Sequence, residues 1–373
     1  MNSKDKAAQI LSKAEVVING PQPIDLQVKD ERVYDRVFSG GSLALGESYM
    51  DGWWDVEDLS GAISKILRSN IPDSLRNAGV IWHFVKSWVL NRQNQTRAFE
   101  VGEKHYDIGN DLYERMLGKR MVYTCGYWSS PTTPAQDLDD AQEQKLDLVC
   151  RKIGLKPGQV VLDVGCGWGS FAKFAAEKYG AKVVGITISK EQAALARERC
   201  KGLDVEIRVE DYRDTKGQFD HIISLGMFEH VGPKNYRTYM RKMNELLKDD
   251  GIFLLHTIGG NHSVMASDAW LDKYIFPNGV LPSVTQIGRA IERLFIMEDW
   301  HNFGPDYDKT LMAWWANFDK HWPEIKDSYS GRFYRMWKYY LMTCAAVFRA
   351  RESQLWQIVL TKQGLVGGYR AVR

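Results

Sequence analysis

Residues 159–170 read QVVLDVGCGWGS, and this stretch indicates the fold of most of the chain. Its apolar run at 160–162 ends at Asp163. Three glycines at alternate positions then lead into the helix-like segment SFAKFAAEKYG, namely Gly165, Gly167 and Gly169. This order predicts a strand, a tight turn and a helix. Because glycine permits positive φ and close approach of the backbone to a ligand, the turn predicts a nucleoside-binding site.

The chain around this turn alternates between strand-like and helix-like segments. The predicted strands lie at 182–186, 205–209, 219–225, 251–256 and 355–362, and the predicted helices lie at 135–153, 191–201 and 234–247. Such alternation is typical of a mainly parallel sheet with helices on both faces, with the last strand as an antiparallel edge. The predicted fold class is a doubly wound α/β domain.

Composition limits the remaining possibilities. The chain has 373 residues, 44% of them hydrophobic, and a formal net charge of +2, which indicates about two domains and excludes a bulk polycation. Its five cysteines show no CxxC spacing, so we expect neither a disulfide framework nor a metal site, and we expect reduced thiols in the cytoplasm. The first residues lack the apolar core of a signal peptide, and no run approaches the ~18 apolar residues of a spanning helix.

The part of the chain before the glycine turn divides into two predicted units. Residues 1–73 predict a small N-terminal α+β domain, with strands at 16–18 and 24–28 and helices at 31–38 and 59–71 around the turn GGSLALGESYMDGWWD. An accessory packing role for this domain is as plausible as a direct one. Residues 74–100 predict a basic, amphipathic helical linker, which either packs on protein or lies at a membrane surface. The catalytic domain is predicted to span 101–373.

Polar residues follow the predicted strands, where doubly wound sheets bind ligands. The spacing GxGxG and the absence of an acid at the end of the second strand argue against a dinucleotide. Thr187, Ser189 or Gln192 would then hold the ribose, and Asp211 and Tyr212 the adenine. A polar and aromatic group upstream predicts a wall of the same pocket, comprising His105, Tyr106, Asp107, Asn110 and Asp111.

Several long motifs occur in one order along nearly the whole chain: GSLALGESYMDGWW, LDVGCGWG, GITISKEQ, EDYRD, GMFEHVGPKNY, LLHTIG, DKYIFPNGVLPS and EDWHNFGPDYDKTLMAW. They closely resemble the cyclopropane-fatty-acyl-phospholipid synthases, relatives of the mycolic acid cyclopropane synthases. The resemblance implies a Rossmann-like class I methyltransferase domain that uses S-adenosyl-L-methionine. It also implies a phospholipid bilayer with unsaturated acyl chains as substrate, and a cytoplasmic homodimer peripherally associated with the inner face of the membrane.

The implied reaction adds a methylene group to a cis double bond. The alkene attacks the sulfonium methyl, and the resulting carbocation loses a proton and closes a cyclopropane ring. By resemblance, a bound bicarbonate ion is the base, and it is held by Cys125, Glu229, His256, Tyr307 and, through its backbone, Ile258. The residues implied to bind the cofactor are Tyr123, Thr124, Asp163, Gly165, Cys166, Gly167, Gly169, Thr187, Ile188, Ser189, Gln192, Asp211 and Tyr212.

Other residues carry weaker expectations. Cys344 lies where the family has been suspected of a nucleophile, but an apolar helical stretch predicts a packed, protonated thiol, so it is a secondary candidate. Because water would trap a carbocation, a minority of the aromatic residues should line an acyl tunnel. The candidates are Trp128, Tyr274, Phe276, Trp300, Phe303, Tyr307, Trp314 and Trp315. The cations Arg332, Arg335 and Lys338 alternate with aromatics and would face lipid head groups or solvent rather than nucleic acid.

Three functions stay open at this point. The first is cyclopropanation of phospholipid acyl chains, and the second is formation of methyl-branched or methylene fatty acids by the same fold and cofactor. The third is a lipid-binding or scaffold protein without activity. The joint presence of Cys125, Glu229, His256 and Tyr307 favours ring closure.

Overall fold

A computed structural model describes residues 2–69 and 109–373 of the chain. The predicted linker at 74–100, the boundary at residue 73, and the pocket candidates His105, Tyr106 and Asp107 lie outside these residues. The N-terminal part contains α1 (Ser3–Ser12), β1 (Gln27–Val28), α2 (Val33–Met50), β2 (Trp54–Asp55) and α3 (Leu59–Arg68). β1 and β2 form a two-stranded antiparallel sheet.

Two predictions for the N-terminal part are wrong. The strand at 16–18 is reduced to a single bridge between Ile18 and Leu26, and the predicted turn after residue 40 is largely helix, because α2 continues to Met50. The chain bends inside α2 at Gly41, whose φ of 59° and ψ of −142° are accessible to glycine at little cost. Beyond the bend, α2 resumes because Tyr49 and Met50 are buried in the core.

The second part contains the remaining helices and strands. The helices are α4 (Asn110–Met116), α5 (Leu138–Lys152), α6 (Ser170–Tyr179), α7 (Lys190–Arg199), α8 (Tyr236–Leu246), α9 (Ala269–Tyr274), α10 (Val284–Ile291), α11 (Pro305–Ile325) and α12 (Gly331–Arg349). The strands are β3 (Val160–Val164), β4 (Lys182–Thr187), β5 (Val205–Val209), β6 (Phe219–Leu225), β7 (Leu247–Gly260), β8 (Ile296–Asn302) and β9 (Ser353–Thr361).

These seven strands form one sheet in the order β5-β4-β3-β6-β7-β9-β8. The pairs from β5 to β7 are parallel, and β9 is antiparallel to both of its neighbours. The prediction of a doubly wound α/β sheet is confirmed. The prediction that the last strand forms the edge is wrong, because β9 lies between β7 and β8 and all nine of its residues are buried.

The strand order places a ligand crevice at the glycine turn. The chain runs outward from β3 through β4 to β5 and then returns to β6 on the other side of β3. At such a switch point the loops after the two central strands diverge, which opens a crevice beyond their carboxyl ends. The loop after β3 is the stretch that contains Gly165 and Gly167.

The helices near the C-terminus pack against the N-terminal part of the chain. Arg335 of α12 donates to the backbone oxygens of Tyr49 (2.6 Å) and Trp54 (3.0 Å) and pairs with Asp55 at 3.0 Å. Arg332 of the same helix pairs with Asp51 at 3.0 Å. The expectation of a lipid or solvent contact is therefore wrong for Arg335, whereas Arg332 stays exposed to solvent while it pairs with Asp51. Among the residues that the structure describes, no helix combines the length and apolar character needed to cross a bilayer.

Candidate functional site

A cavity lies beyond the carboxyl ends of β3, β4 and β6. Most of the predicted cofactor-binding residues line it: Tyr123, Thr124, Asp163, Gly165, Cys166, Gly167, Thr187, Ile188, Gln192, Asp211 and Tyr212. Gly169 and Ser189 are not part of this lining and instead begin the flanking helices. Gly169 precedes α6 with φ 75°, and Ser189 caps α7 by accepting a hydrogen bond of 3.2 Å from the backbone N–H of Gln192.

The two glycines of the turn that line the cavity serve different needs. Gly165 has φ 82°, and a Cβ there would lie 2.8 Å from Cβ of Met227, so the turn packs closely against the loop after β6. Gly167 has φ 53°, and a Cβ there would meet no heavy atom within 4 Å. Gly165 is therefore required by packing, whereas Gly167 keeps backbone accessible at the cavity wall.

The far end of the cavity carries hydrogen-bonding groups suited to a nucleoside. Thr187 donates to Oε1 of Gln192 at 3.0 Å, which fixes the end of β4 against the start of α7. The buried carboxylate of Asp211 accepts from the backbone N–H and the guanidinium of Arg213, each at 2.9 Å. The same guanidinium lies 4.8 Å from the ring centroid of Tyr212. Asp211 and Tyr212 are thus held in fixed orientations at the cavity wall.

The floor of the cavity contains a buried acid and a buried base. Asp163 of β3 is 2% exposed, and its Oδ2 has no hydrogen-bond partner among the described residues. Lys145 of α5 is 0% exposed, and its Nζ donates to Oγ1 of Thr124 at 2.9 Å. Burial raises the pKa of Asp163 to about 7 and lowers that of Lys145 to about 7. The charge on this floor therefore depends on its ligand and on pH.

Sequence reasoning missed Lys145, although α5 carries a signal that identifies it. Leu138, Gln142, Lys145, Val149 and Lys152 recur at helical spacing and form a buried stripe. Two lysines and a glutamine on the apolar face of a helix are unusual, because such groups are rarely buried without a partner. Other cavity residues that were not predicted include Trp168, Arg213, Met227 and His230. Burial lowers the pKa of His230 to about 4, so its imidazole is neutral.

Glu229 lies in the turn after β6, next to the cavity residue His230. Its Oε1 accepts a hydrogen bond of 2.7 Å from the backbone N–H of Ile258. Its Oε2 is buried and has no partner in the described structure. Burial raises the pKa of Glu229 to about 7, and the hydrogen bond from Ile258 opposes this shift. The backbone N–H of Ile258 is thus engaged by Glu229, and the expected contact of the Ile258 backbone with an anion stays a prediction.

The imidazole ring of His256 on β7 contacts the side chain of Gln357. The pairing of β7 with β9 places it opposite Gln357, whose Nε2 donates to Nδ1 of His256 at 3.3 Å. Burial lowers the pKa of His256 well below its usual value, so the ring is neutral. An amide N–H of Gln357 directed at Nδ1 favours the tautomer that carries the proton on Nε2. This Nε2 is buried without a partner in the described parts of the chain. His256 therefore presents a single N–H donor to its surroundings.

Cys125 and Tyr307 complete the predicted set. Sγ of Cys125 donates to the backbone oxygen of Gly126 at 3.1 Å and lies 3.7 Å from Oγ1 of Thr310 on α11. Burial raises the thiol pKa well above its usual value. Tyr307 lies in the first turn of α11 and packs on Phe348 with ring centroids 4.6 Å apart. Burial, together with the nearby Cys125 and Glu229, raises the pKa of Tyr307 well above its usual value. Both side chains are protonated hydrogen-bond donors.

The remaining candidates are distributed differently. Cys344 is partly buried on α12, and burial raises its thiol pKa to about 12. Phe276 lines the cavity and Trp314 lies 5.2 Å from the ring of Tyr123, whereas Trp300 packs on Trp356. In residues 2–69 and 109–373, no group of three or more His, Cys, Asp or Glu side chains is arranged to hold a metal ion.

Comparison with known proteins identifies the family of this chain. The family model described as mycolic acid cyclopropane synthetase matches residues 93–358. The chain is 52% identical to the cyclopropane-fatty-acyl-phospholipid synthase of Escherichia coli strain K12, over 98% of this chain and 95% of that protein.

Solved structures agree with this family and with a class I methyltransferase fold. The cyclopropane synthase MmaA2 from Mycobacterium tuberculosis matches with a TM-score of 0.66 and 29% identity, over 71% of this chain and 98% of that one. The mycolic acid cyclopropane synthase CmaA1, in complex with SAH and CTAB, matches with a TM-score of 0.65 and 31% identity, over the same shares. The chain belongs to the mycolic acid cyclopropane synthetase family.

Proposed function

We propose that this protein transfers a methylene group from the methyl of S-adenosyl-L-methionine to the cis double bond of unsaturated phospholipid acyl chains, forming a cyclopropane ring. One observation carries the proposal. The nucleoside cavity adjoins Cys125 and Glu229 directly along the chain, since Thr124 and His230 line the cavity and are the immediate neighbours of these two residues. A methyl donor in the cavity would therefore lie next to groups able to hold a base.

The donors and acceptors around Glu229 and His256 fit a small anion that carries one proton. Nε2–H of His256 can donate to an anionic oxygen, and Oε2 of Glu229 can accept a proton from a hydroxyl; both atoms are buried and lack partners among the described residues. The protonated Tyr307 hydroxyl adds a further donor. We propose bicarbonate as this anion, which would supply the base that removes a proton from the transferred carbon.

Glu229 then has two roles in this proposal. Its Oε1 is fixed by the backbone N–H of Ile258, which leaves Oε2 to orient the hydroxyl of the anion. Because the pKa of Glu229 is raised to about 7, the carboxylate is also basic enough to take up the proton that the anion collects. His256 keeps a constant charge through this step, because its imidazole stays neutral.

The surrounding side chains would exclude water from the cation. Tyr123 lines the cavity, and its ring lies 5.2 Å from Trp314 and 6.4 Å from Phe276, while Trp314 lies 6.0 Å from Tyr307. Aromatic faces stabilise a positive charge and do not react with it as water does. We propose that these rings surround the end of the acyl chain that reacts.

We further propose that the protein works as a homodimer at the inner, cytoplasmic face of the membrane. Two points support this proposal. The chain resembles the cyclopropane-fatty-acyl-phospholipid synthases, and the name of its 52% identical relative states a phospholipid substrate. Sedimentation equilibrium tests the dimer, and flotation with anionic and neutral vesicles tests the membrane contact. A monomer under assay conditions, or a protein that stays with neither vesicle, would contradict these two points separately.

The reaction is tested with purified protein, S-adenosyl-L-methionine and vesicles of unsaturated phospholipid, followed by mass spectrometry of the acyl chains. We expect a gain of one methylene with loss of the double bond in the wild type and little product with Glu229→Gln. Dependence on added bicarbonate in degassed buffer tests the proposed base. A methyl-branched or methylene fatty acid would favour the second function, and unmodified lipid would contradict both.

A further inference from the structure

Thr124 is held between two elements at the edge of the cofactor cavity. Its backbone oxygen accepts from Nε2 of Gln142 at 2.8 Å, and its Oγ1 accepts from Nζ of Lys145 at 2.9 Å. A Cβ on Gly226 would lie 2.6 Å from Cγ2 of Thr124, so the threonine methyl lies closely against this glycine. The side chain therefore has one orientation, with its hydroxyl on Lys145 and its methyl on Gly226.

Lys145 determines which way the threonine hydroxyl donates. Protonated Lys145 has three donors and no acceptor, so Oγ1 of Thr124 is then the acceptor in this contact, and an anion bound nearby favours the protonated form. The hydroxyl proton is then directed away from Lys145, and Thr124 lines the cavity. A group bound at this point must be a hydrogen-bond acceptor, and a negative charge on it would also compensate the buried ammonium.

The polar and titratable groups that face Lys145 come from several elements. Thr124 and Cys125 lie on the segment before α5, Asp163 is on β3, and His256 is on β7. No salt bridge is formed by Lys145 within the described residues, since its hydrogen bond goes to the neutral Thr124. The unpartnered Oδ2 of Asp163 offers an acceptor on the same floor, complementary to a cation. The floor thus presents a donor and an acceptor side by side, which matches an amino acid with both of its charges.

We propose that Lys145 is a positioning residue that orients the Thr124 hydroxyl towards the carboxylate of the methionine part of the cofactor and supplies the positive charge beneath it. This inference rests on the proposed use of S-adenosyl-L-methionine. Lys145 and Thr124 would recognise the amino-acid end of that molecule, and the residues around Gln192 and Asp211 would hold its nucleoside end.

Calorimetric binding of two probes tests the inference without turnover. S-adenosylhomocysteine contains the carboxylate, and methylthioadenosine has the same nucleoside and sulfur but lacks the amino acid. For Lys145→Met we expect S-adenosylhomocysteine to bind roughly tenfold to a hundredfold more weakly, as for loss of a charge-assisted interaction, with methylthioadenosine unchanged. An equal weakening of both probes would indicate a structural role, and unchanged binding of S-adenosylhomocysteine would also overturn the proposal.

Lys152→Met is the matched control. Lys152 is an equally buried lysine on the same helix, but its Nζ lies 3.0 Å from Nδ1 of His301 rather than near Thr124. We expect this variant to leave the ratio of the two affinities at the wild-type value. A similar change in that ratio would show that any buried lysine on α5 affects cofactor affinity, and it would contradict a specific role of Lys145.

Thr124→Val keeps the proposal testable if Lys145→Met does not fold. Valine keeps the shape of threonine but removes the hydroxyl, so binding of S-adenosylhomocysteine should fall and that of methylthioadenosine should not. Thr124→Ser should bind S-adenosylhomocysteine about as well as the wild type does, because serine retains the hydroxyl. Failure of the wild type to bind either probe would instead contradict the proposed function, which separates the two outcomes.

Discussion

The backbone N–H of Ile258 donates a hydrogen bond of 2.7 Å to Oε1 of Glu229, from a position 29 residues further along the chain. The contact joins the turn after β6 to strand β7. It fixes one carboxylate oxygen and leaves the other, Oε2, buried without a partner in the described structure. An acid held in this way is costly to ionise, and the cost shows in the dependence of stability on pH.

Glu229→Gln should stabilise the protein at alkaline pH. The pKa of Glu229 is about 7 in the folded protein and about 4.5 when exposed, so the folded state binds more protons between these values and stability falls as pH rises through them. The wild type loses about 3 kcal/mol across this window. Glutamine keeps the acceptor for Ile258 without the charge. Thermal unfolding at pH values of about 4.5 and 8.5 measures the difference.

An exposed glutamate provides the control for this prediction. Glu245 on α8 is 67% exposed and pairs with Lys242 at the surface, so Glu245→Gln should change the unfolding temperature little at either pH. If Glu229→Gln gave the same difference from wild type at both pH values, the raised pKa of Glu229 in the folded protein would be refuted.

Gln357→Met should reduce turnover without weakening cofactor binding. Gln357 keeps the His256 proton on Nε2, and an apolar replacement of similar size allows the other tautomer, which presents an acceptor instead of a donor. We expect turnover to fall roughly tenfold or more, as for loss of an outer hydrogen bond to a functional histidine. The measurements are turnover, the affinity for S-adenosylhomocysteine and the imidazole nitrogen chemical shifts of His256.

Gln354→Met is the comparison for Gln357→Met. Gln354 is a buried glutamine on the same strand, but it bonds to Asn261 and to the backbone of Arg351, away from His256. Its replacement should leave the nitrogen shifts of His256 unchanged. Normal turnover in Gln357→Met would show that the tautomer of His256 is not limiting.

Cys344→Ala should retain most of the activity. With a pKa of about 12, the thiol is almost entirely protonated at neutral pH and is therefore a poor nucleophile. In the folded wild type we expect slow alkylation of Cys344 by iodoacetamide, which mass spectrometry of digested protein measures. Rapid alkylation at neutral pH together with complete loss of activity in Cys344→Ala would restore Cys344 as a nucleophile.

Gly165→Ala and Gly167→Ala should fail in different ways. Both force alanine into the left-handed region, at about 1–2 kcal/mol, but only alanine at residue 165 also collides with Met227. Gly165→Ala should therefore lower the unfolding temperature more. Gly167→Ala should remain folded and lose affinity for S-adenosylhomocysteine, because its methyl group projects at the cavity wall. Equal losses of stability in the two variants would contradict this assignment.

The sequence alone determined the elements whose pattern is local. Apolar runs, glycine spacing and helical periodicity gave the strands β3 to β7 and the turn at Gly165, because burial on both faces of a parallel sheet leaves a plain apolar signature. Prediction from the local pattern failed in α2, because in the sequence a glycine that bends a helix cannot be told from one that ends it. It also failed for β9, since no local pattern says which neighbours a strand will have.

Only the tertiary structure shows which buried polar atoms lack hydrogen-bond partners, and in which direction the hydrogen bonds of the other polar atoms run. Oε2 of Glu229 and Nε2 of His256 are left without partners because Ile258 and Gln357, distant in sequence, occupy the other atom of each side chain. Lys145 can act on Thr124 only because the fold packs the buried stripe of α5 beneath that residue. Residue types are local properties, but desolvation and hydrogen-bond direction depend on every element that surrounds a group, so they exist only in the folded chain.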